Sequence, residues 1–391
     1  MGELALALLL LSGATLLIRS FLNLSAVELG FRTERVLTFS LSLPEARYPE
    51  PRQAARTVER FLDAAEASPG VEAAAGVFGL PLGGISYMFN VQTMDGRTVD
   101  DDELGGGGLV QTRLATPDYL RVMGIPLRAG RFIEPSDRPG AERVVVLSET
   151  AARALFPDGD PLGHTIELGT DLGLDGPRVG GRVVGVIGDV HHFGPAREAP
   201  PEAYFAHAQF PVRSLSVTVR TAGAPGAVLG ALRERLAEID PELPLYRVRT
   251  MGGLAAASVT RPRFYMTLLT LFGAVALALA AVGTYGSINY SVERRSREIG
   301  IRMAMGARRV DVVGMVVGRV ARLAALGLAI GLAAGLLVTR VLDRLLFELS
   351  STDPLTMAVT ALILAVVALA AGYLPARRAT RVDPMTVLRT E

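Results

Sequence analysis

The sequence predicts a membrane α-helical protein of four transmembrane helices, with a large α+β extracytoplasmic domain inserted between helices 1 and 2. Three observations carry this reading. Four stretches are apolar over close to the roughly 20 residues that hydrocarbon requires. They divide unevenly, one near the start and three after residue 262, and the segment between them has mixed strand and helix patterning. Half of the residues are hydrophobic and the mean hydropathy is +0.35, high for a soluble protein and low for one made only of lipid-embedded helices. The expected division is residues 1–31 for the first helix, 32–262 for the outer domain and 263–391 for the remaining three helices.

The clearest spans are 264–285 and 355–374, which carry no internal charge. A third runs over 312–341, uncharged from 323 to 338, with Arg319 and Arg322 at its beginning placed to snorkel to headgroups. The first, 4–18, is short and crosses if extended through Leu22. A signal peptide is the alternative. Against it, no positive segment precedes the helix and no small-residue cleavage site follows. A membrane anchor is therefore expected, and a truncated start would also fit the little that precedes it.

Arginine bias sets the orientation. The loop between the second and third spans holds Arg294, Arg295, Arg297, Arg302, Arg308 and Arg309, and the tail holds Arg377, Arg378, Arg381 and Arg389. Both are expected in the cytoplasm. Residues 32–262 are then outside, tied at both ends to membrane helices. Arg19, at the outer end of the first helix, runs against the rule. Gly327, Gly331 and Gly335 recur every four residues in the third span, so a neighbouring backbone can approach closely. Helix pairing or a dimer contact is one reading, and packing within one chain is the other.

Within the outer domain, Leu37, Phe39, Leu41 and Leu43 alternate with polar residues, the mark of a half-buried strand. Residues 51–67 read as an amphipathic helix ended by Pro69 and Gly70. Further strands are expected at 87–92, 110–115, 143–147, 182–187, 215–219 and 245–248, and a helix at 227–239. This length suits two small α/β lobes. Residues 105–108 read as a glycine loop.

Composition excludes much chemistry. With no cysteine there are no disulfides, thiol nucleophiles or Cys-ligated metals. All 40 basic residues are arginine, so the lysine of a Walker A loop, of a Schiff base or of a Ser-Lys pair is missing. A formal net charge of +1 does not suggest nucleic acid. His164, His191, His192 and His207 lack zinc-site spacing and are expected as surface or loop residues. The acidic run Asp100–Asp101–Asp102–Glu103 lacks the EF-hand pattern and reads as a solvated loop. No nucleophile elbow occurs. No catalytic residue, cofactor or metal is expected, and an enzyme is not the expected reading.

Several stretches are specific. The segment YSVERRSREIGIRMAMGA at 290–307 resembles the cytoplasmic segment of FtsX/MacB-type ABC permeases, and YLPARRATRVDPM at 373–385 resembles the end of the same domain. TPDY at 116–119, MGIPL at 123–127, GRF at 130–132, LFP at 155–157 and DPLG at 160–163 resemble the MacB periplasmic core. The likeness covers nearly the whole chain and looks closest to the second half of the duplicated orphan permeases named after acidobacteria.

The resemblance implies a multi-pass protein of the bacterial inner membrane with a periplasmic core domain. It implies coupling of a separate ABC ATPase to movement of that domain, in export or mechanotransmission. The partners implied are that ATPase, the lipid membrane and a second permease half or second copy. The coupling segment it implies contains Glu293, Arg294, Arg297, Glu298, Ile299, Gly300, Ile301, Arg302, Met305, Gly306 and Ala307. The arginines suit acidic partner groups, and Ile299, Ile301, Met303 and Met305 are expected to form an apolar face. Alternatively, the arginines only enforce topology and bind anionic lipid. A membrane-anchored binding or sensor protein, and a half-unit fragment of a duplicated permease, are the competing readings.

Overall fold

The computed structural model describes residues 2–99, 108–170, 178–295, 298–299, 301–302, 305, 308–342 and 354–379. Two compact units emerge, one of Val27–Val259, the other joining the preceding helix to the chain from Thr260 onward.

The outer unit is built on one continuous sheet of 12 strands among the described residues. Its first half is open and antiparallel: β12 (Tyr246–Thr250), β1 (Val36–Ser42), β11 (Ser214–Thr221) and β2 (Val71–Phe78), in that order. The strand β1 forms where expected, because alternation sends Leu37, Phe39 and Leu41 to one buried face. That face is covered by α2 (Pro51–Glu66) and α5 (Leu229–Ile239). Proline opens α2 at a position where its missing N–H costs nothing, and helical spacing aligns Ala54, Val58, Phe61, Leu62 and Ala65 toward the sheet. The Phe39 and Phe61 rings meet edge to face at 6.0 Å.

The second half closes on itself. β5 (Leu109–Ala115), β10 (Glu202–Ala206), β7 (Val144–Ser148), β9 (Gly180–Ile187), β8 (Thr165–Leu168) and β3 (Met88–Met94) follow in order, and β3 returns to β5 through Met88↔Gln111 and Phe89↔Val110. The short strands β4 (Arg97–Thr98) and β6 (Leu127–Gly130) attach to β3 and β9. Alternation divides the ring's residues between two cores. Val145, Leu147, Ala203 and Phe205 share one cluster with Leu114 and Ile166. Val144, Val146, Tyr204 and Ala206 share the other, with α3 (Tyr119–Met123) and α6 (Met251–Ser258) packed against it. A further short helix, α4 (Glu149–Leu155), is capped by the Ser148 hydroxyl, which accepts from the Ala151 N–H at 3.2 Å. The two lobes expected from length are thus halves of one sheet, joined at β2–β5 through Val77↔Ala115 and Phe78↔Leu114.

Gly30 fixes the entry to the domain. Its φ is +80°, and an added Cβ would lie 1.9 Å from the Asp189 carbonyl oxygen. Gly30→Ala should therefore cost about 2 kcal/mol or more in urea unfolding of the full chain. Gly140→Ala, at φ +96° but facing open space, should cost only about 1 kcal/mol.

Among its described residues the other unit contains four helices long and apolar enough to cross a membrane: α1 (Gly2–Ala26), α7 (Thr260–Arg294), α8 (Arg309–Leu342) and α9 (Pro354–Ala379). Small residues allow close packing here. Ala7, Leu8, Ala280, Ala324, Leu364 and Ala368 form one buried cluster drawn from all four. Gly327 and Gly331 are buried, and a Cβ on Gly331 would sit 2.7 Å from Leu8 Cδ2 and 3.2 Å from the Ala5 carbonyl oxygen. Gly331 of this chain therefore faces its own first helix. Gly335 lies on the following turn of α8.

Candidate functional site

The surface expected to couple to a partner lies where α7 gives way to α8. The helix α7 runs through Glu293 and Arg294, then turns at Arg295, whose N–H donates to the Val292 carbonyl at 3.1 Å. Helical backbone resumes at Glu298 and Ile299, with the Ile299 N–H donating to the Arg295 carbonyl at 2.9 Å. It is helical again at Ile301 and Arg302, and the Met305 N–H donates to the Ile301 carbonyl at 3.0 Å. Asp311 caps α8 by accepting the Arg308 N–H at 3.1 Å. Arg297, Gly300, Met303, Gly306 and Ala307 lie outside the described residues.

Charge and apolar surface alternate across this turn. Arg302 reaches Glu298 at 2.7 Å, one helical turn away, and its Nη1 lies 3.2 Å from the Met315 sulfur. Arg294 stands 5.6 Å over the Tyr290 ring, and Arg378 donates to the Tyr285 hydroxyl at 2.8 Å. Ile299 lines a groove with Ile288, Val292, Met315 and Val316, edged by Arg295 and Arg319. Ile301 and Met305 instead face solvent, 44% and 83% exposed. The apolar face expected from Ile299, Ile301 and Met305 is therefore split. Alternation by two places side chains on one face only in a strand, whereas a helix joins positions four apart. Ile301 and Met305 share a face, and Ile299 turns away from it.

The histidines depart from expectation in one respect. His164 is at the surface, its Nδ1 2.7 Å from Asp95, and the Thr165 N–H followed by His164 holds the Asp95 carboxyl below its usual range. His191 meets the Arg197 carbonyl at 2.8 Å. His192 and His207, however, are only 2% and 1% exposed. Both lie in turns, as a loop reading expects, but inside the domain: His207 directly follows β10, with its N–H donating to the Ala115 carbonyl at 3.0 Å. Among the described residues no group of His, Asp and Glu could hold a metal ion. The acidic run at 100–103 lies outside them.

Sequence reasoning also missed a buried polar network. Arg113 on β5 and Glu202 on β10 pair at 2.7 Å, both essentially without solvent. Glu202 also accepts the Tyr204 hydroxyl at 2.8 Å, and its own N–H donates to the Ser148 hydroxyl at 3.0 Å. Burial pushes the Glu202 carboxyl up, while Arg113 and the Tyr204 hydroxyl pull it down. His192 Nδ1 lies 3.6 Å from Glu202, yet neither ring nitrogen has a hydrogen-bond partner. Burial first, then the Arg113 charge, lowers its pKa to about 3. The available signal was slight, because Arg113 alternates in step with Gln111, on the face of β5 that alternation alone assigns to solvent.

Two family models match this chain. The MacB-like periplasmic core domain matches residues 8–239, more than half of the chain, and the FtsX-like permease C-terminal domain matches 270–384. This chain belongs to the MacB/FtsX permease family. Relatives include the macrolide export ATP-binding/permease protein MacB of Agrobacterium fabrum, 28% identical over 285 residues that make up 69% of this chain and 42% of that protein. The MacB of Escherichia coli is 27% identical over 290 residues, 70% of this chain and 42% of that one. The permease chain described here thus spans about two fifths of the length of these curated relatives. Among solved structures, the periplasmic region of MacB from Actinobacillus actinomycetemcomitans aligns over 59% of this chain and 95% of its own, at 14% identity and a TM-score of 0.37. The extracellular domain of the ABC-type transporter YknZ from Gram-positive bacteria aligns over 52% and 91%, at 18% identity and a TM-score of 0.32.

Proposed function

We propose that this permease-family chain is the transmembrane subunit of an ABC system, in which a separate cytoplasmic ATPase drives movement of the outer domain. The carrying observation is the α7–α8 turn, where exposed Ile301 and Met305 stand beside a groove edged by arginines. That pairing of apolar knob and positive rim suits a cleft with acidic edges on a partner. The arginine excess of this turn supports a cytoplasmic location, and with it a periplasmic outer domain in the bacterial inner membrane. These 391 residues hold no lysine for a Walker A loop, so the nucleotide is bound outside them. The names of the relatives, ATP-binding/permease proteins, join the two functions in one protein and support an ATPase as the driver of a permease of this kind. Glu298, Arg302 and their sequence neighbours Arg297, Gly300, Gly306 and Ala307 complete the proposed contact, and a second copy or second permease half completes the assembly.

The test is direct. Tagged chain purified from the membranes of its own host should retain ATPase activity. The double substitution Ile301→Asp and Met305→Asp should lower the retained activity at least ten-fold, with the chain's amount in the membrane unchanged. Equal activity with both aspartates in place, or none with the native chain, would refute the coupling role.

A further inference from the structure

Residues 79–90 contain no charged side chain, yet they expose several large apolar ones. Ile85, Tyr87 and Met88 are 46%, 48% and 50% exposed, and neighbouring Phe193 is 40% exposed. The surface is ordered. Tyr87 stacks between Phe78 and Phe89, with centroids 5.2 and 6.5 Å away. The Leu82 N–H donates to the His192 carbonyl at 2.9 Å, which ties this loop to the one bearing Phe193. Leu82 holds a left-handed backbone, φ 61°, that a leucine adopts only under constraint. The Arg197 guanidinium lies 5.6 Å over the Phe193 ring.

Position on the chain decides what can cover this surface. The His191 N–H donates to the Leu29 carbonyl at 3.0 Å, and Leu29 is three residues beyond the end of α1. A Cβ on Gly194 would lie 3.3 Å from Ser258 Cβ and 3.8 Å from Leu82, and Ser258 is two residues before the start of α7. At 3.3–3.6 Å per residue the chain holds Leu29 within about 11 Å, and Ser258 within about 7 Å, of a membrane helix. The patch is thus tethered on both sides to the end of the domain that meets the bilayer. Aromatic side chains favour the lipid–water interface, and an arginine stacked on one of them presents a cation to phosphate.

We propose that the loop over 79–90, together with Phe193 and Arg197, docks on the bilayer surface beside the two membrane entries. This rests on α1 and α7 crossing a bilayer. The chain contains no tryptophan, so single reporters are clean. In proteoliposomes of the full chain, Tyr87→Trp and Phe193→Trp should be quenched by lipids brominated near the headgroup at least twice as strongly as Ala46→Trp. Ala46 is exposed in the turn after β1, a strand's length from Val36 at the entry side. Phe272→Trp, within α7, should be quenched by bromine deep in the acyl chains. Quenching of Phe272→Trp with Tyr87→Trp and Phe193→Trp no better quenched than Ala46→Trp overturns the proposal and leaves the spans intact. An unquenched Phe272→Trp removes the spans and the proposal together. Blue-shifted Tyr87→Trp emission that bromine leaves untouched, and that rises with protein concentration, puts a second copy on the patch and also overturns it.

Discussion

Replacing Arg113 by methionine is expected to destabilise the outer domain by about 3–5 kcal/mol, a large share of the roughly 5–15 kcal/mol that holds a domain folded. The reason is not the strength of the Arg113–Glu202 pair. It is the carboxylate left behind in a site without solvent, where only the Tyr204 hydroxyl still donates to its side chain. Two consequences distinguish this account. Arg113→Met should regain stability as pH falls, because a lone buried Glu202 takes up a proton more readily folded than unfolded. Adding Glu202→Gln should recover much of the loss. Thermal unfolding of the full chain, with hydrogen exchange read at β5 and β10, measures both. Arg121→Met is the control: its ion pairs to Glu66 and Asp118 are exposed, and such pairs contribute about 0–1 kcal/mol. If the two methionine variants unfold alike, the buried pair is not what secures these strands.

The second large effect concerns His192. Its folded pKa is lowered to about 3 from an ordinary 6.5. The unfolded chain therefore binds a proton below pH 6.5 that the folded domain refuses until near pH 3. The neutral histidine's contribution is fully present above pH 6.5 and is lost as pH falls through that window. At about 1.4 kcal/mol per pH unit, the loss reaches about 3.5 kcal/mol by pH 4. Glu202, raised by burial, acts in the opposite direction, so the comparison must hold it constant. His192→Leu does so. The native chain should lose stability between pH 6 and 4 more steeply than this variant, by up to one proton's worth. Parallel slopes would show that His192 does not resist protonation.

Much of the architecture was legible in the sequence, for reasons that lie in the solvent. Lipid demands long apolar runs, so the helices near 264–285 and 355–374 stand out whatever surrounds them. A sheet with one covered face demands alternation, so β1 could be read from Leu37, Phe39 and Leu41. Elements buried on both faces were harder. β2 is rich in alanine, which carries little strand preference, and β10 is buried at all five positions, so neither alternates. The closure of the ring, and the pairing of Arg113 with a glutamate 89 residues away, depend on tertiary register that local pattern does not encode. At the α7–α8 turn the residue types were legible, but their faces were not, because residues two apart, such as Ile299 and Ile301, point different ways on a helical backbone.

The outermost ladder of the outer domain has a mechanical meaning. β1 begins and β12 ends side by side, at Leu37↔Thr250, and only two further pairs with a bulge hold the two strands together. Both tethers to the bilayer therefore pull on the same corner of the sheet. Tethers that rise or tilt in concert load no bond between these strands, and the domain travels as one body. Tethers that spread apart load first the contacts that pin each end, the Leu29 carbonyl on His191 and Met251 and Leu254 of α6 in the core, and only then the short ladder behind them.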